Sequence, residues 1–68
     1  MNDSTKNSDA IRLDQFLKFN GIVQSGGQAK FVIQNGEVKV NGEVEIRRGR
    51  KLQVGDVVEV LGRKHPVV

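Results

Sequence analysis

Residues 36–46 read Gly-Glu-Val-Lys-Val-Asn-Gly-Glu-Val-Glu-Ile, and the fold turns on them. Val38 and Val40 alternate with Glu37 and Lys39, as on a strand with one covered face. Asn41-Gly42 is a strong hairpin signal, because both residues tolerate positive φ. Val44 and Ile46 continue the alternation. Two registers compete. A two-residue loop sets Val40 opposite Glu43 and Val38 opposite Glu45. A loop one residue longer, or a bulge, pairs Val40 with Val44 and Val38 with Ile46. The second keeps apolar side chains together and is the register expected.

Working back from this hairpin, the periodicity changes from two to 3.6. Leu13, Phe16 and Leu17 predict a helix over 13–20, with Phe19 at the stripe's edge and Asp14, Gln15 and Lys18 on the other side. Gly21 suits its left-handed end, and Ile22 and Val23 form an apolar link. Ser25 caps a second helix whose buried stripe is Ala29, Val32 and Ile33 and which ends at Gly36. Ala10 to Arg12 reads as a short extended lead-in. Working forward, Leu52 and Val54 predict a short strand, Gly55-Asp56 a turn and Val57 to Leu61 a further strand. Pro66 excludes a central strand position for itself. Val67 and Val68 suit a last edge pairing. Two packed helices followed by a small antiparallel sheet make an α+β domain.

Sixty-eight residues allow one small core, burying about 60% of the surface that the unfolded chain exposes. The polar stretch 1–10 is expected to be a flexible N-terminal tail, and residues 11–68 a single domain. With no cysteine, no disulfide staples the core and no thiolate is available as ligand or nucleophile. Met1–Ala10 has no apolar segment of signal-peptide length, and no run approaches the roughly 20 residues of a membrane span. A cytoplasmic protein is the simplest reading. The net charge of +3 divides unevenly, with −1 on residues 1–10 and +4 on the remainder. Such basicity suggests a polyanionic partner.

Catalytic and metal readings find little support. His65 is the sole histidine, in a polar segment beside Pro66. Glu43 and Glu45 read as solvated strand charges, and Ser25 has no evident base. No cofactor, metal or small-molecule substrate is expected. Two features suit phosphate instead. Ser25-Gly26-Gly27-Gln28 opens a helix whose first N–H groups have little side-chain cover, and Lys30 shares the polar side. A glycine-tolerant cap packed against the first helix explains the same residues. Arg47, Arg48, Arg50 and Lys51 place four cations in five residues, which repel unless an anion neutralises them; a solvated loop is the alternative. Arg12, Lys18, Lys39, Arg63 and Lys64 extend the basic set. Phe31 points away from its helix's apolar stripe and either packs under the C-terminal strands or stacks on a base.

Four motifs in order carry a resemblance. Arg12-Leu13-Asp14 with Phe16-Leu17, the Ser25, Ala29, Ile33 helix, Gly36 to Gly42, and Val54-Gly55-Asp56 to Val60 together resemble ribosomal-protein-S-four-type domains. Residues 24–30 and 47–52 are most similar to the small bacterial single-domain members, the YaaA and YbcJ types. The resemblance implies the αL fold, two packed helices against a small curved sheet. It implies RNA as ligand, held by the helices and the adjacent basic loop, with a place in translation and ribosome association. Where the wider family often has arginine after the capping serine, this chain has Gly26. The expected function is therefore non-catalytic, monomeric binding of structured RNA, ribosomal or transfer RNA. The expected cradle is built from Ser25, Gly26, Gly27, Gln28 and Lys30 with Arg47, Arg48, Arg50 and Lys51. A protein-interaction module, through a sheet edge near Val67 and Val68 or through Phe31, and a DNA binder are the alternatives.

Overall fold

A computed structural model describes residues 11–68; the tail assigned to residues 1–10 lies outside the described residues. The order is β1 (Ile11–Arg12), α1 (Leu13–Phe19), α2 (Gly26–Gln34), β2 (Val38–Val40), β3 (Glu43–Val44), β4 (Lys51–Leu52), β5 (Val57–Val60) and β6 (Arg63–Pro66). Strands β3-β2-β5-β6 form one antiparallel sheet, and β1 pairs with β4 in a separate two-stranded ribbon. The α+β assignment holds.

One face of the larger sheet is covered. Val38, Val40, Val58 and Val60 are buried with Leu13, Phe16 and Leu17 of α1, Ala29 and Ile33 of α2, and Val23, Leu52 and Val67. Val32 only flanks this core. Each helix ends at a glycine of positive φ, Gly21 and Gly36, as the C-terminal signals require. The Ser25 hydroxyl accepts the Gln28 N–H at 3.1 Å and caps α2. The first N–H groups of α1 are taken by backbone instead. Leu13 donates to the Arg50 carbonyl at 2.8 Å and Asp14 to the Arg48 carbonyl at 3.1 Å. The basic loop is thus the N-terminal cap of α1.

The hairpin register differs from expectation. Val40 pairs with Glu43 and Lys39 with Val44, and the Glu45 N–H reaches the Val38 carbonyl at 3.0 Å. Asn41 and Gly42 both lie at positive φ, 53° and 87°. This is the two-residue turn whose twist matches that of the flanking strands. Turn geometry overrides the apolar alternation, so Val44 and Ile46 are exposed. Glu45 correspondingly points inward and is buried, against its reading as a solvated strand charge. Its carboxylate accepts four hydrogen bonds, from the Arg47 N–H (3.0 Å), Arg47 Nε (2.9 Å) and Nη2 (3.1 Å), and Arg50 Nη1 (3.1 Å). The Arg47 fork above all, with its backbone N–H and Arg50, outweighs desolvation and holds the Glu45 carboxyl at a pKa of about 2, against an ordinary 4.5.

A second polar knot closes the sheet. Asn41 donates its own N–H to the Val57 carbonyl (2.8 Å), accepts the Val57 N–H on Oδ1 (2.9 Å) and donates Nδ2 to Asp56 Oδ1 (3.1 Å). Asp56 Oδ2 accepts the Gln53 N–H at 2.9 Å. That bond, with Asn41, lowers the Asp56 pKa. The asparagine-glycine and glycine-aspartate motifs are therefore one structural unit.

Other side chains also depart from expectation. Asp14, placed on the solvent side of its helix, is buried, with Arg12 Nε 3.3 Å from its carboxylate. Phe31 does not pack under the C-terminal strands; it is 66% exposed. Phe19 and Val54 are exposed, and the strand near Leu52 is Lys51–Leu52, without Val54. Val67 is buried and bonds with Gly55 and Asp56, whereas Val68 is exposed. A further hairpin turns at Leu61-Gly62, where the sequence shows no asparagine or aspartate.

Two substitutions test these knots. Asn41→Ala removes two side-chain hydrogen bonds and a residue suited to positive φ, and is expected to lower stability by about 2 kcal/mol in urea unfolding. Glu45 titrates lower in the folded than in the unfolded chain. Its contribution is therefore complete above pH 4.5 and is lost as pH falls toward about 2. Glu45→Gln is expected to be about 1–2 kcal/mol less stable at neutral pH. It should also show a shallower acid loss, with the part due to Asp56 remaining. Unfolding curves at pH 7 and pH 3 check both.

Candidate nucleic-acid interface

The loop that caps α1 carries the cation run, and Glu45 divides it. Arg47 and Arg50 both pair with the buried carboxylate, although the Arg47 side chain stays 74% exposed. Arg50 is accordingly half-buried, with its side chain 30% exposed. Arg48 and Lys51 are exposed and form no ion pair with a described residue. The neutralising anion called for by the four-cation run is thus partly internal. Sequence spacing places Glu45 close to the run, but its reading as a solvated strand charge hides the pairing.

Lys51 faces another cation. In the β1–β4 ribbon Arg12 is directly opposite Lys51. Directly paired side chains of antiparallel strands lie about 5 Å apart at Cβ, where like charges destabilise. Asp14 offsets Arg12 in part, through a contact of 3.3 Å to a guanidinium that is half exposed. Arg12, Arg48 and Lys51 therefore form a positive rim around the N-terminal end of α1. Lys18 is exposed near the other end of the same helix and lines a shallow hollow with Gln15, Ile11 and Phe19.

The glycine-rich tip belongs to α2, whose chain follows from the C-terminal end of α1 through Asn20–Gln24. Gln28 is already engaged there. Its Oε1 accepts the Gln24 N–H at 2.7 Å, and its own N–H is covered by Ser25. Among the described residues, the Gly26 and Gly27 N–H groups have no acceptor. Packing does not require either glycine. A Cβ at Gly26 would meet nothing within 4 Å, and one at Gly27 only Ser25 Oγ at 3.9 Å. This removes close packing against α1 as their explanation and leaves an open approach to two amides. Lys30 and Phe31 lie exposed further along α2.

Lys39 is placed differently. It stands on the sheet face turned away from the helices, between Val44 and Glu59. His65, opposite Val58 on β6, makes no side-chain hydrogen bond with a described residue, so nothing there orients it as a base. Among the described residues no group of three or more potential metal ligands comes together, and no helix is long and apolar enough to cross a membrane.

Residues 5–68 match the S4 domain family. The chain is 54% identical over 55 residues to "Probable ribosome maturation protein RlbA" of Bacillus subtilis (strain 168), covering 81% of this chain and 78% of that protein. It is 41% identical over 58 residues to "Putative RNA-binding protein YbcJ" of Escherichia coli (strain K12), covering 85% and 83%. The asparagine-glycine and glycine-aspartate unit, the loop-capped first helix and these matches agree: the chain belongs to the S4 domain family and is a YbcJ-like member of it.

Proposed function

We propose that this protein is a non-catalytic binder of structured RNA, with ribosomal RNA its principal target and transfer RNA the second. The observation that carries the proposal is the Arg12–Lys51 cross-strand pair with Arg48 beside it. Arg12 and Lys51 face each other across the ribbon, the Arg48 backbone is bonded to the start of α1 beside them, and of the three only Arg12 has an internal carboxylate. A ribose-phosphate chain supplies the missing negative charge. RNA is favoured over duplex DNA by the relative named as an RNA-binding protein, and ribosomal RNA by the relative named for ribosome maturation. Folded RNA presents shape and phosphate to such a surface rather than a readable major groove.

In this reading the rim formed by Arg12, Arg48 and Lys51 takes phosphates at one end of α1. The Gly26 and Gly27 amides with Lys30 take another, and Lys18 lies along α1, whose seven residues span about 10 Å. The exposed Phe31 offers a face to an unpaired base. Arg47 and Arg50 shape the loop and contribute charge at long range, while Lys39 falls outside the footprint. The protein acts as a monomer in the cytoplasm.

Titration of ribosomal RNA fragments, transfer RNA and duplex DNA at several salt concentrations tests the reading. Log affinity for RNA is expected to fall by about 0.7–0.9 per phosphate contact for each unit of log salt. A flat response, or equal affinity for duplex DNA, overturns it. Arg48→Ala with Lys51→Ala is expected to lower RNA affinity and reduce the salt slope by about two contacts, with stability equal or slightly raised because a like-charge opposition is relieved. Gly26→Ala is expected to leave stability equal or raised by up to about 0.5 kcal/mol. It should nevertheless weaken RNA binding, because a methyl group then stands over the open amides.

A further inference from the structure

The β5–β6 hairpin turns on Leu61 and Gly62, with φ of 54° and 80°. Asn41-Gly42 has the same backbone, but there an asparagine fits it. A leucine in the left-handed region is sterically disfavoured, and bulky residues are seldom found there. Burial gives nothing back, since Leu61 is 72% exposed. Strain of this kind at an exposed apolar tip points to a contact made outside the fold.

Leu61 walls an open cleft of about 530 Å³ between this hairpin and the segment that joins α1 to α2. Ile22 and Val60 add apolar surface to the cleft, and Asn20, Gly21, Arg63 and His65 complete its lining. Arg63 is opposite Val60 and His65 opposite Val58, so both share the sheet face that the helices cover. Arg63 is exposed and forms no ion pair with a described residue. No carboxylate lines the cleft, in contrast to the hollow on the other side of Leu61, which Glu37 and Glu59 share with Lys39. The volume falls in the range of small-ligand sites. Apolar surface beside an unneutralised guanidinium matches a nucleotide, with a flat apolar base and an anionic phosphate, better than it matches an apolar helix or an acidic peptide.

We propose that this cleft receives one unpaired nucleotide, its base lying against Leu61 and Ile22 and its phosphate on Arg63, with His65 beside it as a hydrogen-bonding partner. The proposal rests on the RNA-binding reading above and extends the footprint to the residues that follow the C-terminal end of α1. It also accounts for a leucine at a position where asparagine or glycine would be better for the turn.

The test uses the full chain and two labelled RNAs, a stem closed by an unpaired loop and a blunt duplex of the same stem, with affinities read by anisotropy. The wild type is expected to prefer the looped RNA. Leu61→Asn suits the turn and should melt at the same or a higher temperature, yet bind the looped RNA roughly fivefold more weakly while leaving the duplex affinity unchanged. Arg63→Gln should lose affinity for the looped RNA and reduce its salt slope by about 0.7–0.9, one contact. Wild-type-like binding of the looped RNA by both variants overturns the cleft and leaves the basic rim standing. Failure of the wild type to bind either RNA overturns both readings.

Discussion

A carboxylate drawn inside by a tight turn governs much of this molecule. Because Asn41-Gly42 closes the hairpin in two residues, Glu45 and not Val44 or Ile46 faces inward. Its charge survives burial only because Arg47 and Arg50 grip it. That grip folds residues 47–50 into a turn, with the Arg50 N–H on the Arg47 carbonyl. The turn in turn aims the Arg48 and Arg50 carbonyls at the first N–H groups of α1. The turn thus sets the strand register, and the ion-pair network that follows from it sets a loop shape and a helix start and leaves Arg48 exposed near the start of α1.

This arrangement separates two jobs within one charged segment. Alternate members of the run hold the loop and present it. A stretch of four cations with no internal anion would repel itself open, and a stretch with full internal pairing would have nothing to offer a phosphate. Partial neutralisation gives a loop that is both ordered and positive. The same division appears at the start of α2, where Ser25 and Gln28 satisfy their local donors while Gly26 and Gly27 keep theirs open.

The helices, the asparagine-glycine turn, the valine core and the family were all legible from sequence, because each depends on periodicity or on a residue with one strong backbone preference. The register was not, because two rules that usually agree, apolar alternation and turn length, here conflict, and on an edge strand the loss from exposing Val44 and Ile46 is small. The burial of Glu45 follows from that register and was invisible without it. Leu61-Gly62 is not legible as a turn because leucine carries no turn preference. Exposure of Phe31 was a matter of which neighbours the sheet supplies, and helical spacing does not contain that. Within the candidate site, the cation run could be read from spacing, but the distinction between Arg48 and its paired neighbours required knowledge of where one glutamate points.

The Asn41 knot has a chemical consequence for the ageing of the chain. An asparagine followed by glycine is the dipeptide most open to attack by the next backbone nitrogen on the side-chain amide, with loss of ammonia. Here both ends of that amide are occupied, by Val57 and by Asp56, which restrains the side chain from the geometry of ring closure. Should the reaction occur, the Nδ2 donor is replaced by an oxygen, and two carboxylates then confront each other across a gap that a hydrogen bond had spanned. At this one of the three asparagine-glycine dipeptides in the sequence, the bonds that restrain the side chain are the ones that the damage would turn into repulsion.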